Sequence, residues 1–173
     1  MNLILLLVSW SFLFSGFIAS AQDDSSSTRD VPEIIGSKET ANWDKTTLNA
    51  AKTKEHEELL KKAKVATIMG EVVDTSCYLQ MGRRGPDHVA CGIKCILNGQ
   101  APGLVDEKGQ LYFLFPEQHD PRRDGEISLR AQFSQLVGKR VEITGMLAKR
   151  KDGYKALFIK TEPMKKLGEP KTN

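Results

Sequence analysis

The chain is short of the signatures that name an activity. A c-type haem needs C-x-x-C-H, but here the closest pair is C-x-x-x-C and Ile96 follows it. The C-x-x-C of thioredoxin-like redox proteins is missing. There is no G-x-S-x-G, no P-loop and no dinucleotide fingerprint, which removes the common hydrolase, NTPase and Rossmann readings. No internal repeat is visible. Aromatic residues make up 7% of the chain, and a net charge of +3 gives no strong field, so a nucleic-acid partner is not expected. Only one stretch is apolar over any length, and it lies at the N-terminus.

That stretch, Leu3 to Ile18, runs into Ala19-Ser20-Ala21, an A-x-A cleavage site. It reads as a secretory signal peptide, residues 1–21, although Lys and Arg are absent before the apolar run. Cleavage after Ala21 leaves residues 22–173, enough for one domain and some tail. A secreted or periplasmic location follows, with no membrane span after cleavage. An uncleaved anchor is the alternative, but the run is short for a span.

Cysteine is scarce as well, and its placement is informative. All three cysteines, Cys77, Cys91 and Cys95, fall between Gly70 and Gly103 with His88 among them. The second half, DHVACGIKCILNG, reads as a helix with Asp87 as N-cap and Gly99 in the left-handed position past its end. At about 100° per residue, His88, Cys91 and Cys95 share a stripe about 60° wide. Val89, Ala90, Ile93, Ile96 and Leu97 fall on the other side. Cys77 precedes the helix, beyond a Gly- and Arg-rich loop that could fold back over the stripe. A Cys₃His set suits zinc, and thiolates also suit copper(I) or iron–sulfur chemistry. Two other readings stand beside it. Cysteine in an exported protein is often a disulfide, Cys77 to Cys91 or to Cys95, because a bridge within one helix is strained. Free cysteine also packs as a small hydrophobe. The odd count leaves one thiol over in the disulfide reading. Metal is placed first, the disulfide close behind, and plain packing last.

Around this segment the chain divides simply. Residues 22–45 read as a polar tether, loosest near Ser25–Thr28, on which Ile34–Ile35 and Trp43 could dock. Residues 46–64 read as one exposed helix with a thin stripe of Leu48, Ala51, Leu59 and Ala63; His56 on it reads as solvated. From Val65 the pattern turns to strands: VATIMGEVVD, GLVD, QLYFLF, KRVEITGMLA and YKALFIKTEP. Gly70 marks a bend, Gly145 lets a strand curve, and hairpins turn at Asp106–Gly109 and Lys149–Gly153. PEQHDPRRDG is a loop. ISLRAQFSQLVG reads as a helix capped by Ser128, with Leu129, Phe133 and Leu136 buried. From Met164 the tail is polar and loose. Five strands with a helix between the third and fourth give a mainly β fold, an OB-like β-barrel over residues 65–163 with inserted helices and an N-terminal helix. The cysteine segment occupies the first connection, one of two that OB-folds use for binding. Tyr112, Phe113, Phe115, Tyr154 and Phe158 are expected mostly to fill the barrel, which further weakens a single-strand-binding reading despite the basic loops Arg83-Arg84 and Lys149–Lys151.

GEVVDTSCYL, HVACGIKC, APGLVDEKGQLYFLF and GKRVEITGML together resemble a group of small exported bacterial proteins with an OB-like barrel. Their pattern is G-x-V-V-D-x-x-C, then H-x-x-C-x-x-x-C. The likeness covers about residues 65–162 and matches Asp74, Cys77, His88, Cys91 and Cys95. It implies fold and compartment and no activity. Three functions are carried forward. The first is a binding module whose Cys77/His88/Cys91/Cys95 cluster holds a soft metal. The second is a thiol redox protein in which Arg83 and Arg84 lower a thiol pKa. The third is a disulfide-stapled domain that meets an unknown protein or small ligand. No feature beyond the thiols speaks for an enzyme.

Overall fold

The computed structural model describes residues 31–118, 129–165 and 167. The signal peptide, Ser25–Thr28, most of the PEQHDPRRDG loop, the Ser128 cap and most of the tail lie outside the described residues. No helix among the described residues is long and apolar enough to cross a membrane.

A long strand rich in β-branched residues, β2 (Lys64–Asp74), is the spine of the fold. Its first half pairs antiparallel with β5 (Arg140–Lys149), from Lys64–Leu147 to Glu71–Arg140. Its second half pairs antiparallel with β3 (Pro102–Asp106), from Gly70–Asp106 to Asp74–Pro102. The switch of partner falls at Gly70, where a Cβ would lie 2.4 Å from the Val105 carbonyl oxygen, so only glycine permits the crossing. β3 turns at Asp106–Gly109 into β4 (Leu111–Pro116), with Gly109 at φ 77. β4 pairs in parallel with β6 (Lys155–Ile159), and β6 pairs antiparallel with β5, which closes a five-stranded mixed barrel. Gly145 stands where β5 and β6 meet; a Cβ there would lie 2.3 Å from the Phe158 carbonyl oxygen. The fold is therefore mainly β with inserted helices, as the strand pattern implies.

Inside the barrel, Val72, Leu104, Leu114, Val141, Ile143, Leu157 and Ile159 are at most 1% exposed and form one cluster. Each such side chain contributes about 1.5–3 kcal/mol on leaving water. Helix α5 (Arg130–Leu136) plugs one end with Leu129, Phe133 and Leu136, the three residues its periodicity marks. The aromatic residues depart from expectation. Tyr112 is buried in the cluster, but Phe113 stacks on Tyr154 and Phe115 on Phe158 on the opposite face of the strands, with centroids 4.9 and 5.6 Å apart. Alternation is the reason: Tyr112 and Leu114 point in, so Phe113 and Phe115 point out.

The segment before the barrel is more engaged than a tether. β1 (Glu33–Ile35) pairs in parallel with Val141–Ile143 of β5, and Ile35 is 1% exposed while Ile34 faces out. Trp43 docks by its ring edge on Phe158 and donates from Nε1 to the Leu60 carbonyl at 3.0 Å. The stretch read as one helix is two, α1 (Lys45–Ala50) and α2 (Lys54–Lys62). Thr53 accounts for the break: its hydroxyl caps α2 by accepting from the His56 amide, which requires extended backbone at residue 53. His56 is exposed, as read. At the other end, α6 (Thr161–Lys165) carries Met164, which is fully buried in the cluster and not the start of a loose tail.

Candidate metal centre

The cysteine segment is a crossover that leaves the barrel at Thr75 and returns at Ala101. Its stem is clamped by Thr75, whose amide and hydroxyl both donate to the Ala101 carbonyl, at 3.0 and 2.9 Å. Two helices fill it. Cys77 precedes the helix of Cys91 and Cys95, as read, and sits on a helix of its own, α3 (Thr75–Met81). Asp74, the last residue of β2, caps α3, accepting from the Cys77 amide through Oδ1 at 2.8 Å. Gly82 ends α3 at φ 66. After a single 3₁₀ turn, Pro86–His88, α4 (Val89–Leu97) carries Cys91 and Cys95. Asp87 makes no side-chain cap here: it lies inside the 3₁₀ turn, and no capping bond precedes α4. Gly99 takes φ 100 as its position past the helix end requires.

The fold brings the three sulfurs together: the Sγ atoms of Cys77, Cys91 and Cys95 all lie within 4.8 Å of one another. Cys77 and Cys95 approach to 4.0 Å. All three thiols are free. They are graded in exposure, Cys77 buried, Cys95 half-buried and Cys91 exposed. Burial pushes the Cys77 thiol up to about 12, with the Asp74 carboxylate adding to the effect. The Cys95 thiol is also raised, again chiefly by burial. Arg83 and Arg84 are exposed and do not lower these thiols, contrary to the redox expectation.

His88 has a different neighbour from the one its position on the helical wheel implies. It is 3% exposed and forms a second group with Asp74 and Cys77, whose donor atoms lie within 4.8 Å of one another. Its Nε2 is 2.7 Å from Oδ2 of Asp74, which is fully buried. Cys77 belongs to both groups, and the two do not merge into one set of four. The wheel errs because His88 belongs to the 3₁₀ turn, which winds more tightly than the α-helix after it. The buried row of α4 is then Gly92 and Ile96 with Val89 and Ile93 partly covered, while Ala90 and Leu97 are exposed. Two features were beyond the sequence reading. Asp74 as the hub of the site is one, although its place just before a Thr-Ser-Cys helix start is a capping signal. The other is Nδ1 of His88, which is buried without a hydrogen-bond partner, a situation that ordinarily costs about 1–3 kcal/mol.

Away from the cysteines, a cleft of about 840 Å³ lies beside the barrel, lined in part by Phe115, Phe133, Tyr154, Phe158, Arg130 and Arg150. Comparison with family models, with curated proteins and with solved structures finds no match to this chain.

Proposed function

We propose that this protein is an exported binding domain, its barrel OB-like, that holds a soft metal ion on Cys77, Cys91 and Cys95 with His88 as fourth donor. The observation that carries the reading is the convergence of three free sulfurs within 4.8 Å. Two thiolates on a tetrahedral zinc, at Zn–S about 2.3 Å, stand about 3.8 Å apart. The 4.0 Å between Cys77 and Cys95 is close to that value. The donor set suits zinc or copper(I). The barrel order β2-β3-β4-β6-β5, with the site in the first connection, supports the OB-like reading. The apolar N-terminal run ending at Ala19-Ser20-Ala21, and the resemblance to small exported proteins, support export.

A second reading has an observation of its own. A modest rotation of the same 4.0 Å pair would place Cys77 and Cys95 at bonding distance, about 2.05 Å, as a staple in an oxidising compartment. Residues 22–173, purified anaerobically, separate the two by elemental analysis and thiol counting. One metal ion per chain, with three thiols released by a chelator, is expected. No metal and one free thiol per chain would establish the staple instead. His88→Ala is the sharpest variant: it weakens metal retention in the first reading and leaves a disulfide untouched in the second. N-terminal sequencing of exported material, expected to begin at Gln22, tests the compartment.

A further inference from the structure

We infer that Asp74 is the positioning residue of this centre, holding His88 so that Nδ1, and not Nε2, is its ligand nitrogen. The inference rests on the metal reading above. A carboxylate oxygen only accepts, so the 2.7 Å contact with Oδ2 places the proton on Nε2 of His88. In the neutral ring the bare lone pair is then on Nδ1. That atom is buried and has no partner, whereas buried polar atoms are almost always partnered. A ring nitrogen of His88 lies within 4.8 Å of the Cys77 sulfur, and a metal ion held there is the partner that would satisfy a bare imidazole lone pair. Histidines that bind metals characteristically give their other ring N–H to a carboxylate, which sets the tautomer and orients the ring.

The same carboxylate also fixes a sulfur. Its Oδ1 accepts from the Cys77 amide at 2.8 Å, so one buried group places the backbone of Cys77 and the ring of His88 together. Each oxygen thus already has a partner, which argues for Asp74 as a support and against it as a ligand. Gly92 makes the room. A Cβ at that position would lie 3.3 Å from Oδ2 of Asp74, 3.6 Å from Cδ2 of His88 and 2.8 Å from Cγ1 of Val137. The pair therefore occupies the space that a side chain on α4 would take.

The test uses the full chain with ¹⁵N-labelled histidine, reduced and anaerobic, and zinc as the probe. Long-range ¹H–¹⁵N spectra report the tautomer, and a His88→Gln variant assigns the signal among His56, His88 and His119. Without zinc, His88 is expected as the Nε2–H tautomer; one equivalent of zinc is expected to shift Nδ1 and leave Nε2 protonated. Asp74→Asn, which keeps the shape and the helix cap, is expected to lower zinc affinity about 10–100-fold in chelator competition. Should that variant fail to fold, the wild-type spectra decide alone. Zinc binding that shifts Nε2 overturns the role of Asp74 while the metal reading survives; zinc binding that leaves the ring unmoved overturns that role and removes His88 as a donor, leaving a three-cysteine site. A wild-type chain that binds no zinc overturns both.

Discussion

The barrel and the crossover between Thr75 and Ala101 are built on opposite principles. The barrel is held by aliphatic side chains such as Val72, Leu104, Ile143 and Leu157, all nearly inaccessible, and by strand pairing that closes on itself. The crossover has two short helices, one buried aliphatic side chain at Ile96, and at its heart a carboxylate, an imidazole and a thiol. No disulfide ties it. A segment that puts polar groups where its core should be depends on their mutual satisfaction, and one of them, Nδ1 of His88, is still unsatisfied. The barrel is thus organised by apolar burial, and the crossover by a small buried polar group.

The largest effects should come from cutting the centre of either region. Asp74→Ala leaves the His88 ring N–H buried without a partner, at about 1–3 kcal/mol, and strips α3 of its cap, at about 0.5–2 kcal/mol, the two read together in urea unfolding. A cost under about 1 kcal/mol would mean that the pair does not organise the segment. The matching cut in the barrel, Leu157→Ala, should cost about 2–5 kcal/mol from lost burial and the cavity left behind. That loss should be the same with and without zinc, because Leu157 sits on β6 between Leu114 and Leu147, on strands that carry none of the donors; a zinc-dependent loss would erase the distinction between the two regions.

Zinc itself should stabilise the chain by about 2.7 kcal/mol at a free concentration 100 times its Kd. The gain should appear in the wild type and vanish in Cys77→Ser, read by thermal unfolding. Its pH dependence follows from the thiols. Cys77 is raised from 9.0 to about 12, so in the metal-free protein it stays protonated at neutral pH. Binding must expel that proton, and affinity should fall about tenfold per pH unit for each proton displaced as pH drops. The metal-free protein shows the complementary sign. A thiol whose pKa is raised by folding supports stability below its ordinary value, and that support is lost as pH climbs from 9.0 toward 12. The smallest effect is a matter of rates. Thiol alkylation of the metal-free chain should follow exposure, with Cys91 first, Cys95 next and Cys77 last, as read by mass spectrometry. Equal rates at all three would show that the crossover opens as a whole.

What the sequence determined by itself is whatever depends on neighbours along the chain. Alternating runs placed four of the five barrel strands to within a residue, since alternation across a pleat is a local property; the fifth, read to Pro163, ends at Ile159, where the chain turns into α6. Gly109 and Gly153 marked the hairpin turns through their left-handed backbone. The Leu129, Phe133 and Leu136 spacing marked the buried side of α5. The cysteine spacing drew attention to the segment whose three sulfurs converge. What only the tertiary structure decided is whatever joins distant residues. The helix under Cys77 was hidden because its Gly- and Arg-rich sequel reads as loop. The pairing of His88 with Asp74 spans fourteen positions and depends on how the crossover folds over the end of β2, with Gly92 leaving the gap. The docking of Ile35, Trp43 and Met164 came from surfaces that exist only once the barrel has closed. Periodicity reports which way a side chain faces along its own element. It carries no information about what stands opposite, and in this protein the chemistry lies in what stands opposite.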